Sequence, residues 1–116
     1  MKNKNKICAL ILARGGSKRL PDKNIKFFYG SPLITWTIKA AINTNRLDKV
    51  YCYSDDIKII NTSIEAGAEA PFERPEIVSR DSISSLETIR YFLKQLKEDN
   101  TYYPDLLVLL QPTSPL

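Results

Sequence analysis

The feature that most constrains this chain is a short apolar run that passes directly into a basic loop with two glycines. Residues 7–12, Ile-Cys-Ala-Leu-Ile-Leu, have the length and composition of a strand buried on both faces of a sheet. Residues 13–24 follow and read Ala-Arg-Gly-Gly-Ser-Lys-Arg-Leu-Pro-Asp-Lys-Asn. The adjacent glycines allow a tight turn that brings backbone N–H groups close to a ligand, and the basic side chains add positive charge. The pattern indicates a strand followed by a polyphosphate-binding loop.

A plain turn with solvated basic side chains is the alternative for this loop, because glycine pairs after strands usually form turns. Four basic residues, a serine and an asparagine in one loop favour the ligand-binding interpretation. The loop has neither the Gly-x-x-x-x-Gly-Lys-Ser/Thr spacing of a P-loop nor the Gly-x-Gly-x-x-Gly spacing of a dinucleotide fold. Neither of those two phosphate-binding mechanisms can therefore be assigned to it.

Two elements are predicted after the loop. Residues 32–43 form a helix, because their apolar residues recur at helical spacing. Ser31 suits its N-cap, and Pro32 suits the first helical position, where no N–H is needed. Residues 50–54 are rich in β-forming side chains and are predicted to form the second strand.

Asp55 and Asp56 follow the second predicted strand and allow two interpretations. They form part of a metal site, or they begin the next helix. In the second case one caps the helix, and their negative charges interact favourably with the positive end of its dipole. We favour the cap. The helix that they begin carries an apolar face of three residues, Ile57, Ile60 and Ile64.

The remaining signals continue the alternation of helices and strands. Gly67 is predicted to end the second helix, and Ser84 with Glu87 forms a capping box for the third. The further predicted elements are a short strand over 68–72, a helix over 86–98 and a fully buried strand over 105–110. Strands that alternate with helices through short connections predict a Rossmann-like, three-layer α/β/α fold with a mainly parallel sheet.

Composition excludes several classes of function. The net charge of +4 permits nucleic-acid binding, yet no predicted helix carries a basic stripe, so we expect no nucleic-acid partner. The chain has no histidine, which removes histidine-based triads and the commonest zinc ligand. Cys8 and Cys52 fall in predicted strands, and we expect them to be buried thiols in a reducing compartment. No apolar run approaches the ~20 residues of a membrane span, so we expect a cytoplasmic location and no membrane partner.

Four segments resemble one family, the CMP-sialic acid synthetases, or N-acylneuraminate cytidylyltransferases, and their relatives acting on legionaminic and pseudaminic acids. The first is the loop Ala-Arg-Gly-Gly-Ser-Lys-x-x-Pro-x-Lys-Asn of residues 13–24. The others are Tyr-Ser-Asp-Asp at 53–56, the polar loop 73–85 that begins Glu-Arg-Pro-Glu, and Leu-Gln-Pro-Thr-Ser-Pro-Leu at 110–116. The resemblance implies the fold of the nucleotide-diphospho-sugar transferases.

The resemblance also implies an activity and the residues that perform it. CTP and an acylneuraminate would give CMP-acylneuraminate and pyrophosphate, with Mg²⁺ as cofactor. Arg14 and Lys18 would act on the triphosphate as catalytic residues, and Gln111 would face the acceptor sugar. The remaining implied nucleotide contacts are Gly15, Gly16, Ser17, Lys23, Asn24, Arg74 and Ser85.

The resemblance further implies that family members continue for about as long again beyond Leu116. We therefore expect residues 7–116 to be the nucleotide-binding part of a truncated cytidylyltransferase domain, preceded by a basic flexible tail at 1–6. The Mg²⁺ ligands would lie mainly beyond Leu116, and the parent enzyme would be a homodimer. A noncatalytic CTP-binding or interaction module of the same fold is the main alternative. An enzyme for 3-deoxy-manno-octulosonate and a nucleic-acid binder rank lower.

Overall fold

The computed structural model describes residues 5–14, 27–28, 31–80 and 82–111. Five strands and three α-helices follow one another within these ranges. They are β1 (Ile7–Ala13), β2 (Phe27–Phe28), β3 (Ser31–Pro32), α1 (Leu33–Ile42), β4 (Lys49–Ser54), α2 (Ile57–Glu65), α3 (Ser85–Asp99) and β5 (Leu106–Leu110). A 3-10 turn, Glu76–Val78, lies between α2 and α3. No helix of the described ranges combines the length and apolar character that crossing a membrane requires.

The main sheet is parallel and has the order β4-β1-β5. The first apolar run of the sequence forms β1, the central strand of this sheet. Ile11 of β1 pairs with Cys52 of β4 on one side and with Leu110 of β5 on the other. In a parallel sheet the carboxyl ends of all strands lie at one edge, and ligands gather outside that edge. The segments that follow β1, β4 and β5 are therefore brought to the same side of the molecule.

Side chains of β1 alternate between two apolar cores, as the two-residue period of a strand requires. Ala9 and Ile11 pack with α1 and α2 through residues such as Ile38 and Ile59. The alternating residues of β1, Cys8, Leu10 and Leu12, point to the opposite face of the sheet. They pack in a second core that includes α3, with Tyr51, Tyr53, Phe92 and Leu96. Helices therefore cover both faces of the parallel sheet, which confirms the predicted Rossmann-like α/β architecture.

The first helix was predicted correctly, but its cap was not. Ser31 and Pro32 form β3, which pairs antiparallel with β2, and α1 begins at Leu33. The backbone of Ser31 is thus extended in a short hairpin. The local signal was ambiguous because proline suits both an extended segment and the residue at a helix start.

The second helix shows which of its faces the fold selected. Asp56 is its N-cap and accepts a hydrogen bond from the backbone N–H of Lys58 at 2.8 Å, so the cap interpretation is confirmed for this residue. The predicted apolar face is wrong, because Ile57 and Ile64 are exposed and Ile59 is buried instead. The buried residues of α2, Ile59 and Ser63, are also at helical spacing, and only packing against the sheet distinguishes this face from the predicted one.

The termini of α2 and α3 match their sequence signals. Gly67 follows α2 with φ +110°, a backbone conformation that side chains rarely permit. Ser84 and Glu87 form the predicted capping box at the start of α3. The segment 68–72 was predicted to be a strand, but it makes only an isolated bridge, in which Glu69 pairs with Tyr51.

The prediction that β5 is fully buried is wrong. In the described sheet β5 lies at an edge and pairs with β1, and the exposed fractions of Leu106 and Val108 are 54% and 37%. These two side chains lie on the sheet face against which α1 and α2 pack. The helices cover this face at β1 and β4 but leave it open at β5. An apolar groove of about 620 Å³ results between α1 and β5, with Trp36 and Ala40 on its helical side.

Candidate functional site

A second, smaller and more polar pocket of about 220 Å³ lies at the carboxyl edge of the sheet. Arg14 directly follows β1, Gln111 directly follows β5, and the backbone N–H of Arg74 donates to the carbonyl oxygen of Ser54 at the end of β4 (2.7 Å). The residues that line the pocket are Leu12, Arg14, Arg74, Arg80, Ile83, Ser85 and Gln111. The structure therefore brings together four residues to which the sequence assigned roles: Arg14, Arg74, Ser85 and Gln111.

Arg74 is the most constrained of these side chains. Its exposed fraction is only 6%. Its Nε donates to the carbonyl oxygen of Val78 at 2.8 Å, and its Nη2 lies 3.5 Å from Oγ1 of Thr88. Burial lowers the pKa of Arg74, the positive charge of Arg14 lowers it further, and Asp55 acts in the opposite direction. Because arginine keeps its proton in proteins, Arg74 is a permanent cation, and its burial costs free energy.

Arg14 is hydrogen-bonded to Ser79, at the end of the 3-10 turn whose Val78 carbonyl binds Arg74. Its Nη1 donates to the carbonyl oxygen of Ser79 at 3.0 Å, the residue next to the carbonyl that Arg74 uses. The turn is closed by two hydrogen bonds to Pro75, from the backbone N–H of Val78 (3.1 Å) and from Oγ of Ser79 (2.8 Å). Consecutive backbone carbonyls thus hold two guanidinium groups that come from different parts of the chain.

The charge of the pocket selects for an anion. Three of its lining residues are arginines, and none of the lining residues that the structure describes is acidic. Gathering like charges around one cavity is unfavourable without a counter-charge, and guanidinium groups match phosphate and carboxylate oxygens in geometry. Ser85 and Gln111 add a hydroxyl and an amide, which can donate or accept hydrogen bonds. The arrangement can therefore bind and orient a phosphate or carboxylate group.

Sequence reasoning assigned no role to Arg80, Leu12 or Ile83. Arg80 belongs to the polar loop 73–85, and its positive charge was the available signal, but basic loop residues are usually solvated. Arg80 is indeed exposed, and its participation in the pocket follows from how the loop folds back over β1. The carbonyl groups of Val78 and Ser79 carry no side-chain signal at all.

Several predicted site residues lie outside the described part of the chain. These are Gly15, Gly16, Ser17, Lys18, Lys23 and Asn24. Their assignment to the nucleotide stays a prediction.

The described residues provide no metal centre. Within them, no group of three or more histidine, cysteine, aspartate or glutamate side chains is close enough to hold an ion. Asp56 caps α2, and Asp55 acts on the charge of Arg74. The described residues by themselves therefore do not form a Mg²⁺ site.

The two cysteines have no part in the pocket. Cys8 and Cys52 are free and buried, as the sequence predicted. Burial raises the pKa of each thiol to about 11, so both are protonated at neutral pH. Because the thiolate is the nucleophile, neither residue is suited to covalent catalysis.

Comparison with known proteins identifies the family. A family model described as cytidylyltransferase matches residues 8–116, which is nearly the whole chain. The chain belongs to the cytidylyltransferase family. Among solved structures, a CMP-2-keto-3-deoxy-manno-octonic acid synthetase complexed with CTP shares the fold of this chain, with a TM-score of 0.75 at 23% identity over 95% of this chain and 41% of that one.

The names of three proteins that are similar to this chain refer to acidic sugars. The chain is 46% identical over 109 residues to N-acylneuraminate cytidylyltransferase A of Danio rerio, covering 94% of this chain and 24% of the relative. It is 42% identical over 107 residues to the pseudaminic acid cytidylyltransferase of Campylobacter jejuni, covering 92% and 46%. It is 36% identical over 110 residues to the CMP-N,N'-diacetyllegionaminic acid synthase of Legionella pneumophila, covering 95% and 47%. The chain thus spans 24% to 47% of the length of these relatives.

Proposed function

We propose that this chain is the nucleotide-binding part of a cytidylyltransferase that activates a sialic-acid-like sugar. The reaction would convert CTP and an acylneuraminate to CMP-acylneuraminate and pyrophosphate. The observation that carries the proposal is the pocket shared by Arg14, Arg74, Ser85 and Gln111 at the carboxyl edge of the sheet. The names of three relatives, which refer to acylneuraminate, pseudaminic acid and diacetyllegionaminic acid, support the substrate class.

The proposed chemistry uses fixed positive charge. The oxygen of the sugar's anomeric hydroxyl forms a bond to the α-phosphorus of CTP, and the bond from that phosphorus to the oxygen bridging the α- and β-phosphates breaks. Pyrophosphate leaves with that oxygen, and the hydroxyl proton is released to solvent. Negative charge then builds up on the phosphoryl oxygens and on the leaving group. Arg14, together with Lys18 of the glycine loop, is proposed to neutralise that charge. Guanidinium groups held in advance by backbone carbonyls need little reorganisation when the charge develops.

The other pocket residues are proposed to orient the two substrates. Arg74 and Ser85 hold the pyrimidine nucleotide, with Gly15, Gly16, Ser17, Lys23 and Asn24 as further contacts. Gln111 faces the acceptor sugar from the end of β5. Mg²⁺ would neutralise part of the triphosphate charge when bound, and its ligands are sought outside the described residues.

Calorimetric titration of the 116-residue chain with CTP tests the binding step. We expect saturable binding that is lost in the double variant Arg14→Ala/Lys18→Ala, while the circular dichroism spectrum is unchanged. Lys39→Ala/Arg46→Ala is the matched control, because it also removes two positive charges, both exposed and outside the polar pocket. Equal CTP affinity in the parent and in the Arg14→Ala/Lys18→Ala variant would refute the proposal.

A noncatalytic CTP-binding module is the second candidate, and the short coverage of the relatives favours considering it. Pyrophosphate release from CTP, Mg²⁺ and N-acetylneuraminate distinguishes the two candidates. Release at a rate above the protein-free control supports the enzyme, and saturable CTP binding without release supports the module. Replacing the sugar by 3-deoxy-manno-octulosonate tests the acceptor class in the same assay.

The remaining partner assignments are also proposals. A homodimeric parent enzyme predicts a doubled mass in sedimentation equilibrium of a longer form of the protein. The absence of a nucleic-acid partner predicts no retention of the chain on DNA or RNA at physiological salt. A cytoplasmic location predicts recovery of the protein in the cytosolic fraction of its cells.

A further inference from the structure

A buried hydroxyl group lies directly behind the polar pocket. Thr88 stands in the first turns of α3, and its side chain is fully buried. Its Oγ1 lies 3.1 Å from the carbonyl oxygen of Ser84, 3.3 Å from that of Val78 and 3.5 Å from Nη2 of Arg74. The single hydroxyl proton is donated to the two carbonyl oxygens, which leaves the oxygen lone pairs to accept from the guanidinium.

These contacts fix the plane of the Arg74 guanidinium. The group is planar, so the short contact at Nε holds it in place and the longer contact at Nη2 restricts its rotation. Nε is held by the carbonyl of Val78, and Nη2 faces Thr88, whose hydroxyl also donates to Val78. One backbone carbonyl and one hydroxyl thus form a closed triangle with the buried cation. The direction in which the guanidinium faces the pocket follows from that triangle.

We propose that Thr88 is a positioning residue, which holds the Arg74 guanidinium in the orientation that binds the nucleotide. This proposal rests on the proposed function of the pocket. Thr88 itself is not among the residues that line the pocket, so it acts through Arg74 and not through contact with the ligand.

A purely structural role for Thr88 is the competing explanation. Threonine hydroxyls in helices often donate to the carbonyl four residues earlier, as Thr88 does to Ser84. Loss of such a bond lowers the stability of the protein without changing how a ligand binds. Ser63 in α2 is a matched example, since its buried Oγ donates to the carbonyl of Ile60 at 2.8 Å, in the core on the opposite face of the sheet.

Three variants separate the two explanations. Thr88→Val removes the hydroxyl at nearly constant shape, and Thr88→Ser keeps the hydroxyl. Ser63→Ala removes a buried helical hydroxyl away from the pocket. We expect Thr88→Val to raise the Kd for CTP by about tenfold, as loss of a hydrogen bond to a charged group would. We expect Thr88→Ser to stay within about threefold of the parent, and Ser63→Ala to lower only the unfolding midpoint.

A double-mutant cycle tests whether Thr88 acts through Arg74. In an Arg74→Lys background, which lacks the planar fork, Thr88→Val should change CTP affinity less than about twofold. The proposal is overturned if Thr88→Val binds CTP like the parent, if Thr88→Ser is as impaired as Thr88→Val, or if the effects of the two substitutions add.

A ligand-free measurement keeps this proposal distinct from the proposed function. Nitrogen-15 NMR of the parent should give separate, slowly rotating Nη signals for Arg74, and Thr88→Val should average them while Thr88→Ser should not. Unchanged Arg74 signals in Thr88→Val would overturn the positioning role whether or not CTP binds. Averaged signals together with no CTP binding to the parent would instead support the Arg74–Thr88 contact and refute the assigned ligand and the nucleotide-orienting role.

Discussion

Nη1 of Arg14 lies 3.0 Å from the backbone carbonyl oxygen of Ser79, a residue 65 positions further along the chain. This hydrogen bond joins the segment after the central strand to the 3-10 turn that also holds Arg74. Nη1 of Arg14 and Nε of Arg74 thus donate to the carbonyl oxygens of two consecutive residues, Ser79 and Val78. The turn therefore holds both guanidinium groups in fixed positions at the pocket.

Arg80 is expected to contribute charge to the pocket without contributing to stability. Arg80→Ala should raise the Kd for CTP by about three- to tenfold at low salt, with the free energy of unfolding unchanged within about 0.5 kcal/mol. Arg90→Ala, which removes an exposed arginine of α3 outside the pocket lining, is the control. The difference between the variants should shrink at 0.5 M salt because mobile ions screen exposed charges. Equal affinities in the two variants would contradict the expected role.

Ser84 is expected to stabilise α3 through its capping box. Its Oγ accepts from the backbone N–H of Glu87 at 3.1 Å, and Oε1 of Glu87 accepts from the backbone N–H of Ser84 at 3.0 Å. Ser84→Ala should lower the free energy of unfolding by about 1 kcal/mol, measured by urea denaturation. Ser82→Ala, an exposed serine before the helix, should change it by less than about 0.5 kcal/mol. Indistinguishable urea midpoints for the two variants would show that the cap adds nothing.

The buried thiols predict a loss of stability at alkaline pH. The pKa of Cys8 and Cys52 is about 11 in the folded chain against an ordinary value of 9.0, so between these values the folded state binds more protons than the unfolded state. Stability contributed by each thiol is complete below pH 9 and falls as pH rises towards 11, by about 1.4 kcal/mol per pH unit. Urea denaturation between pH 8 and 11 measures this slope. A Cys8→Ala/Cys52→Ala variant should have a shallower slope, and an identical slope would refute the assignment to the thiols.

Gly67 is expected to be required by the backbone that ends α2. At φ +110° a Cβ would be strained, and it would also lie 2.7 Å from Cδ1 of Ile42. Gly67→Ala should lower the free energy of unfolding by about 1–3 kcal/mol, and CTP affinity should not change. Adding Ile42→Ala removes the steric contact. If the backbone is the main cause, most of the loss should persist in the double variant, whereas full recovery would assign it to Ile42.

Much of the fold could be predicted because its signals are local. The uninterrupted apolar run of β1 indicated a strand buried on both faces, and the Ser84–Glu87 pair and Gly67 marked helix ends through their own backbone requirements. Signals that two structures share gave wrong results. Pro32 suits a hairpin as well as a helix start, and helical spacing in α2 fits two alternative faces. The apolar composition of β5 indicated a strand but not its burial, which depends on what covers it.

The candidate site divides in the same way. The sequence shows which side chains are charged or polar, and the family resemblance selected Arg14, Arg74, Ser85 and Gln111 from among them. A parallel sheet implies that the loops after β1 and β5 lie close together, but the convergence of all four residues in one pocket also depends on the strand order β4-β1-β5 and on how the loop 73–80 folds against β1. The same folding makes Arg80 a lining residue of the pocket and brings the buried Thr88 into contact with Arg74.

The sequence by itself determined the parallel α/β class, a first strand buried on both faces, the N-caps of α2 and α3 and the cytidylyltransferase family. Only the tertiary structure decided which helical face is buried, how exposed β5 is, and which arginines share a pocket. The physical reason is range. A residue pattern reports backbone preference and average burial within a few neighbours, whereas the contact of Arg14 with Ser79 depends on the arrangement of all the elements between them.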